Sequence, residues 1–397
     1  MIDINVPPLR FPDFKGEWAT TTLGSLVDFK NGINADSSKY GSGIKYISVS
    51  DVLDQHPILY ESIRGSMIAS EDQLREFSVT YGDILFQRSS ETVEDIGQAN
   101  VYLDNKPCLF GGFVIRGKKK ADYNPLYMKY ALKAPINRKK VIIKGAGAQH
   151  YNIGQENLFS IPISICGKEE QAKISSLLSD LDLRIDVQRK IIEDITLQKK
   201  SIRSRCFNLE NGPFANQRWM SEPISSFLEE QKNKQDCPDG NRLITVRLKQ
   251  EGVVKNSNFE NLKLGETQYY TRHVGEFIYG KQNLFNGAFG IVPLSLDGFS
   301  SSGDVPSFSF KGNINPIFFL ELIATEYKKM EKYSTGTGSK RIHENQFLSF
   351  NILVPNGSVQ NKIVCVLASL SKKEELEKKS LSLIESAKSY LLSALFC

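Results

Sequence analysis

The feature that most constrains this chain is an internal repeat. The segment 153–207 aligns without a gap on the segment 342–396, with identical glutamines, lysines, leucines and isoleucines along it. Weaker matches precede it in the same order in each half: a tryptophan (Trp18 and Trp219), a β-branched stretch and a Gly-acid-apolar stretch. Chance similarity between two amphipathic helices is the alternative, but it does not account for several blocks in one order. The repeat predicts two copies of one architecture.

Each copy ends in a segment with the pattern of a long helix. Its apolar residues follow alternating steps of four and three, which is the period of about 3.5 residues that forms a coiled-coil seam. Because such a helix cannot bury its apolar stripe alone, we expect the two copies to pack on each other. Polar interruptions at Glu374 and Glu377 either set the register or form a solvated face. The seam residues are Ile174, Leu178, Leu181, Ile185, Ile192 and Ile195 in the first copy, and Ile363, Leu367, Leu370, Leu381, Ile384 and Leu391 in the second.

The segments before the long helices are of a different kind. Aromatic and β-branched residues alternate with Gly, Asn and Asp turns, which is typical of short strands and loops. Asn124-Pro125 and Asn315-Pro316 have the pattern of helix starts, with Asn as N-cap and Pro in the first turn. We therefore expect an α+β fold of two tandem globular α/β domains, each followed by a long helix. The predicted segments are a globular domain at 1–165, a helical spacer at 166–208, a globular domain at 209–355 and a helical spacer at 356–397.

Composition excludes several classes of protein. The chain has 397 residues, of which 24% are charged, and a formal charge of +5. This charge favours an anionic partner only weakly. The six cysteines form no CxxC pair, which favours a reduced, cytoplasmic protein. No apolar run approaches the roughly 18 residues of a membrane helix, and we expect no signal peptide at the acidic, proline-containing N-terminus.

Common catalytic motifs are absent from the sequence. It contains no GxxxxGK(S/T) phosphate loop, no HExxH and no GxSxG, and its four histidines are widely dispersed. The two Asn-Pro-x-aromatic stretches lack the second proline that an amino-methyltransferase loop carries, so helix capping explains them. We therefore expect neither catalytic residues nor a metal site on this chain.

Glycine loops with basic or polar neighbours occur at equivalent places in the two halves. Gly145-Ala-Gly147 follows the basic run that begins at Arg138, a second basic run begins at Arg116, and Gly336-Thr-Gly338 is followed by a basic pair. Such side chains near flexible glycines suit contacts with phosphates and base edges, although an ordinary solvated charged face is the alternative. The candidate DNA-binding residues are Lys45, Arg88, Lys144, Gln149, His150, Tyr151, Arg242, Lys281, Lys340, Arg341 and His343.

The order of these motifs resembles that of the specificity subunit of type I restriction-modification systems. The first half carries RFPDFKGEW, LGSL, YGDILFQR, GAGAQHYNIGQENLFSIPI and EEQAKISSLLSDLD, and the second half carries GEFIYG, GTGSKRIHENQFLSFNILVP and VQNKIVCVLASL. The resemblance covers almost the whole chain. The sequence departs from the family pattern at Val359, where Glu is usual before Gln, and at Cys166, where proline is common.

The resemblance implies a function for each part of the chain. Each globular part would be a target recognition domain that reads one half of a bipartite, asymmetric DNA site through the major groove. The long helices would pair as an antiparallel coiled coil and fix the gap between the half-sites. Two modification subunits, which carry S-adenosylmethionine and methylate adenine N6, would dock on the chain, and restriction subunits would join them. The chain itself would be non-catalytic and without a cofactor.

Two other functions are compatible with the residues alone. One is a coiled-coil scaffold that holds two partner-binding domains and does not bind DNA. The other is a self-sufficient nuclease or methyltransferase, which would be active as the purified chain.

Overall fold

The chain forms two compact units. The computed structural model describes residues 5–34, 37–145, 151–236, 239–257, 267–335 and 340–397. Unit 1 combines residues 1–189 with residues 379–397, and unit 2 consists of residues 190–378. The divisions fall inside the two long helices, so that each unit contains part of both. The four segments predicted along the sequence do not coincide with these units, because contacts across the chain define a unit whereas the sequence pattern defines an element.

Two long helices and several short ones make up the helical part. Most of the short helices span only one or two turns. Those described are α1 (Leu23–Leu26), α2 (Val49–Val52), α3 (Glu71–Glu76), α4 (Pro125–Lys133), α5 (Pro135–Ile143), α6 (Gln155–Phe159), α7 (Lys168–Cys206), α8 (Pro316–Glu326), α9 (Glu344–Ser349) and α10 (Gly357–Ala394).

The strands of unit 1 are short and mostly antiparallel. A four-stranded sheet has the order β2-β9-β5-β7, a three-stranded sheet has the order β4-β3-β8, and two strand pairs are β1-β11 and β6-β10. The strands are β1 (Ala19–Thr22), β2 (Val27–Asn31), β3 (Tyr40–Ile47), β4 (Gly65–Met67), β5 (Ile84–Gln87), β6 (Ser89–Ser90), β7 (Ala99–Val101), β8 (Leu109–Phe110), β9 (Val114–Lys119), β10 (Tyr151–Asn152) and β11 (Pro162–Ile165).

Unit 2 repeats the four-stranded sheet of unit 1 and its strand pair β1-β11, and its other strands are arranged differently. Its four-stranded sheet has the order β13-β21-β18-β19, its three-stranded sheet has the order β14-β17-β20, and its strand pairs are β12-β22 and β15-β16. The strands are β12 (Trp219–Pro223), β13 (Leu228–Gln231), β14 (Lys234–Gln235), β15 (Ile244–Val246), β16 (Val253–Lys255), β17 (Tyr269–Arg272), β18 (Phe277–Tyr279), β19 (Phe289–Ile291), β20 (Phe299–Ser302), β21 (Ser307–Phe310) and β22 (Asn351–Pro355). The repeat that the sequence predicts is therefore a repeat of the fold.

The long helices run antiparallel within each unit. In unit 1, Asp182 of α7 pairs with Lys388 of α10, and Arg189 of α7 pairs with Glu385 of α10 at 2.7 Å. Residue numbers thus rise along α7 as they fall along α10. In unit 2, Ile202 near the end of α7 joins the same apolar core as Ile363 near the start of α10. The predicted antiparallel pairing is confirmed inside each unit.

The predicted seam residues are the apolar residues that these helices bury. Half of them are buried: Ile174, Leu178, Ile185, Ile195, Ile363 and Leu367. The others are half-buried: Leu181, Ile192, Leu370, Leu381, Ile384 and Leu391. The 3.5-residue period thus identified the inward face correctly along both helices.

A tryptophan-centred aromatic cluster closes the core of each unit. In unit 1, Trp18 packs edge-on against Tyr127 at 6.3 Å and against Phe396 at 6.3 Å. In unit 2, Trp219 lies 6.3 Å from Phe207 and 6.4 Å from Phe318. Each aromatic cluster therefore contains the phenylalanine that follows a long helix. Phe396, after α10, packs in the core of unit 1, and Phe207, after α7, packs in the core of unit 2.

Both predicted helix starts are confirmed. The Asn124 side chain accepts a hydrogen bond from the N–H of Tyr127 at 3.1 Å, and the Asn315 side chain accepts one from the N–H of Phe318 at 3.2 Å. Proline occupies the first turn each time, where its missing N–H costs nothing. Among the described residues, no helix is long and apolar enough to cross a membrane.

A buried lysine makes the stability of unit 1 dependent on pH. Lys129 of α4 is 1% exposed, and its ammonium donates to the carbonyl of Gln55. Burial lowers the pKa of Lys129 to about 7. Between pH 7 and about 10 the unfolded chain therefore holds a proton on this lysine that the folded chain has lost, so the destabilisation caused by burying Lys129 decreases as the pH rises.

We expect the Lys129→Met variant to lose this pH dependence. The free energy of unfolding of the wild type should increase relative to that of the variant from pH 7 to pH 9.5, by at most about 1.4 kcal/mol per pH unit. Chemical unfolding at several pH values measures the difference, and Lys139→Met, at an exposed position of α5, is the control. Parallel pH profiles of Lys129→Met and the wild type would contradict the assignment.

Candidate nucleic-acid interface

The same backbone arrangement occurs in both units where the central strand of the larger sheet ends. In unit 1, the N–H of Arg88 donates to the carbonyl of Phe113 at 2.9 Å, and the N–H of Ile153 donates to the carbonyl of Arg88 at 3.0 Å. In unit 2, the N–H of Lys281 donates to the carbonyl of Asp304 at 2.9 Å, and the N–H of Ile342 donates to the carbonyl of Lys281 at 2.9 Å.

We call these three-residue arrangements the anchor frames. The unit 1 frame is Arg88, Phe113 and Ile153, and the unit 2 frame is Lys281, Asp304 and Ile342. In each frame, a backbone hydrogen bond links a basic residue after a strand of the larger sheet to the segment that follows a glycine loop in the sequence. Sequence reasoning placed Arg88 and Lys281 among the candidates without knowing that they hold equivalent positions.

In the part of unit 1 that the structure describes, no carboxylate forms an ion pair with the Arg88 side chain of the frame. The Arg88 guanidinium donates to the carbonyl of Gly112 at 3.3 Å. Tyr151 and Asn152 of β10 pair with Ser90 and Ser89 of β6. Lys144 is exposed at the end of α5. Gln149 and His150, which were predicted to contact DNA, lie outside the described residues.

The unit 2 frame has a different chemical surrounding. Lys281 forms an ion pair with Glu344 at 2.7 Å, Lys340 with Glu331 at 2.7 Å, and Arg341 with Asp304 at 3.0 Å. Thr335 and Arg341 exchange two backbone hydrogen bonds of 2.9 Å. The N–H of His343, the N-cap of α9, donates to Gln346 at 2.9 Å.

Two further candidates bond to segments outside the anchor frames. The Lys45 ammonium donates to the carbonyls of Glu61 at 3.3 Å and Ile63 at 2.7 Å. Arg242 donates to the carbonyl of Asp297 at 3.2 Å. Their contacts show how they are held in their own units, and a DNA-binding role for either stays a prediction.

One arginine in each basic run donates hydrogen bonds to backbone carbonyl groups of its own unit. Arg116 is only 6% exposed and donates to the carbonyl of Ser78, and burial lowers its pKa. Arg138 donates to the backbone carbonyls of Glu94, Ile96 and Gly97, each at 2.8 to 2.9 Å. The interpretation of these two arginines as surface charge is wrong, because carbonyl groups that are distant in sequence enclose them.

Several residues in or beside the anchor frames were not predicted from the sequence. Phe113, at the turn before β9, is 68% exposed. Asp304, Glu331 and Glu344 were missed because a carboxylate has no distinctive local pattern. Among the residues that the structure describes, no cluster of three or more His, Cys, Asp and Glu is arranged to hold a metal ion.

The fold and the two frames define a class of protein. It has two α+β units, each with an antiparallel pair of long-helix segments, and each unit has the same backbone frame with different side chains. This is a duplicated α+β protein, in which the backbone arrangement is repeated and the side chains that it carries are not.

The family is given by comparison with known domains. The model of the type I restriction modification DNA specificity domain matches residues 15–197 and 229–386. Because the two matches together cover most of the chain, this protein belongs to that family. It is therefore a DNA specificity subunit of a type I restriction-modification system, as the resemblance predicted, and the alternative of a scaffold that does not bind DNA is not favoured.

Individual relatives agree with this assignment. The type I restriction enzyme MjaVIII specificity subunit of Methanocaldococcus jannaschii is 24% identical to this chain over an alignment of length 419. The alignment covers 98% of this chain and 93% of the relative. The S subunit of the type I system of M. genitalium, a solved structure, shares the fold with a TM-score of 0.60 at 16% identity, over 99% of each chain. A chain from a study of assembly and conformational transition of the type I R-M system has a TM-score of 0.56 at 10% identity, over 94% of this chain and 96% of that one.

Proposed function

We propose that each unit reads one half of a bipartite, asymmetric DNA site, and that the edge around its anchor frame faces the DNA. One observation carries this proposal: the two frames repeat the same three backbone hydrogen-bonded positions, whereas their side chains differ. Arg88 and Phe113 in unit 1 take the places of Lys281 and Asp304 in unit 2. A protein that reads two different half-sites requires this combination of a constant scaffold and variable contacts.

The chemistry of the edges supports DNA as the ligand. Arginine and lysine donate to phosphate oxygens and to guanine, glutamine donates to and accepts from adenine, and carboxylates accept from the amino group of cytosine. All of these residue types stand in or beside the two glycine loops. Ile153 and Ile342, which follow the two glycine loops in the sequence, donate their backbone N–H groups to the carbonyls of Arg88 and Lys281.

We propose further that the chain positions the other subunits of its complex. Two modification subunits would bind S-adenosylmethionine and methylate adenine N6, and restriction subunits would join them, while this chain contributes recognition and no catalytic residue. The names of the relatives support this, since they are subunits of type I restriction enzymes. The long helices also expose apolar side chains that suit protein contacts, including Leu183 on α7 and Leu383 and Tyr390 on α10. The complex would act in the cytoplasm.

Loop exchange tests the assignment of one unit to each half-site. Replacing Gln149 and His150 is expected to change the bases recognised in one half-site, and replacing Lys340 and Arg341 those in the other, because each pair belongs to a different unit. Methylome sequencing of cells that express the chain with its modification subunits measures both half-sites at once. Asp13→Asn, which removes a surface ion pair with Lys173, is the control. Simultaneous change of both half-sites after either exchange would refute the proposal.

A further inference from the structure

The two units differ in how the predicted DNA-binding cations in and beside their anchor frames are neutralised. In unit 2, three predicted DNA-binding cations form ion pairs: Lys281 with Glu344, Lys340 with Glu331 and Arg341 with Asp304. The first pair is largely covered, with side chains 13% and 21% exposed, and the other two are open to solvent. The carboxylates come from three separate segments, so the pairing is not a consequence of one acidic stretch.

Unit 1 has no carboxylate at any of the three equivalent positions. Gln155 aligns with Glu344 in the ungapped repeat, and Phe113 takes the place of Asp304 in the anchor frame. Lys140 precedes its glycine loop by the same number of residues as Glu331 precedes the other. Within the described ranges, no carboxylate forms an ion pair with Arg88 or Lys144, and the side chain of Arg88 bonds to a carbonyl instead.

This difference has an electrostatic consequence. A lysine or arginine that neutralises a phosphate releases condensed counterions, and each such contact steepens the salt dependence of DNA binding. A cation that already has a carboxylate within about 3 Å offers little net attraction, because the carboxylate repels the same phosphate. The pair nevertheless presents a donor beside an acceptor, which suits the edges of guanine and cytosine.

We propose that the two units divide recognition unequally: unit 1 supplies the salt-dependent phosphate contacts, and the carboxylates Asp304, Glu331 and Glu344 restrain phosphate binding by unit 2, so that it discriminates mainly by base contacts. This inference rests on the proposed function, since it assumes that both anchor frames face DNA. The three carboxylates are specificity-determining residues that act on the neighbouring cations.

Neutralising the carboxylates tests the inference. DNA binding by the full chain in complex with its modification subunits is measured by fluorescence anisotropy between 50 and 200 mM salt. The duplexes carry the recognised site, the same site with its second half scrambled, or no site. Asp304→Asn and Glu331→Gln each free one exposed cation, so each should add about three- to fourfold to the affinity lost across this salt range. Binding to the scrambled duplex should rise more than binding to the intact site.

A reciprocal variant and a control complete the design. Gln155→Glu places a carboxylate in unit 1 where Glu344 stands in unit 2, and it should flatten the salt dependence. Asp13→Asn removes a surface ion pair that involves no candidate residue, and it should leave the salt dependence unchanged. Thermal unfolding of each variant shows whether it is folded.

Two outcomes distinguish the possible failures. If Arg88→Ala and Arg341→Ala both leave DNA binding unaltered, the anchor frames do not face DNA and the proposed function fails. If those arginine variants weaken binding but Asp304→Asn, Glu331→Gln and Gln155→Glu leave the salt dependence unchanged, the unequal division alone is overturned.

Discussion

Replacement of Glu321 by alanine is expected to lower the free energy of unfolding of unit 2 by about 3 kcal/mol. Glu321 of α8 is 5% exposed. Its carboxylate lies 2.5 Å from Nε of Arg203 and 3.8 Å from Nζ of Lys199, both on α7. Their side chains are only 15% and 19% exposed, so removal of the carboxylate leaves two poorly hydrated cations side by side.

Urea unfolding followed by tryptophan fluorescence measures this loss in the unit where it occurs. The chain has two tryptophans, Trp18 in unit 1 and Trp219 in unit 2, so Trp18→Phe leaves a reporter for unit 2 alone. Glu326→Ala is the matched control on the same helix. Its partner Lys329 is 64% exposed, and the loss should stay below about 1 kcal/mol. Equal losses for Glu321→Ala and Glu326→Ala would contradict a buried ion cluster.

Alanine at Gln171 in unit 1, or at Gln360 in unit 2, is expected to lower the free energy of unfolding by roughly 2 to 4 kcal/mol each. The Gln171 side chain donates to the carbonyl of Cys166 at 2.8 Å and accepts from the N–H of Asn124 at 2.8 Å. The Gln360 side chain donates to the carbonyl of Pro355 at 3.0 Å and accepts from the N–H of Asn315 at 2.8 Å. Both glutamines are 2% exposed, so truncation leaves buried backbone groups without partners.

The two glutamine variants are compared in separate reporter backgrounds. Trp219→Phe leaves Trp18 to follow unit 1, and Trp18→Phe leaves Trp219 to follow unit 2. Gln73→Ala is the control, because Gln73 also accepts from a backbone N–H, that of Ser70 at 3.1 Å, but on an exposed turn. Its cost should be no more than about 1 kcal/mol. A large loss of unfolding free energy in one unit and none in the other would show that the hydrogen bonds of Gln171 and Gln360 are not equivalent.

Long helices and their inward faces could be predicted from the sequence because they depend on local periodicity. The same holds for the two N-cap asparagines, whose capping bonds reach only to the next turn. The division into units could not be predicted in this way. Residues 379–397 belong with residues 1–189, and nothing in a helical pattern records which end of the chain it packs against.

The candidate site was predicted only in part for a related reason. Arg88 follows β5 and Arg116 lies within β9, yet one stands in an anchor frame and the other is buried and donates to the carbonyl of Ser78. What surrounds a long cationic side chain depends on segments that are distant in sequence. The ion pairs of Lys281, Lys340 and Arg341 are of the same kind, since each partner carboxylate comes from another element or turn.

By itself, the sequence determined that the protein is a duplicated α+β chain with two long helices, each with an apolar stripe, and two glycine loops with polar neighbours. These features could be predicted because internal repeats, apolar periodicity and helix caps are visible in the sequence itself. Only the tertiary structure decided that the end of α10 packs in the core of unit 1 and that Arg88 and Lys281 occupy equivalent backbone positions. It also decided that, among the described residues, carboxylates pair with Lys281, Lys340 and Arg341 but not with Arg88 or Lys144. Those properties arise from contacts between distant residues, and the energy of an ion pair or a buried hydrogen bond depends on which groups the fold brings together and how far it excludes water from them.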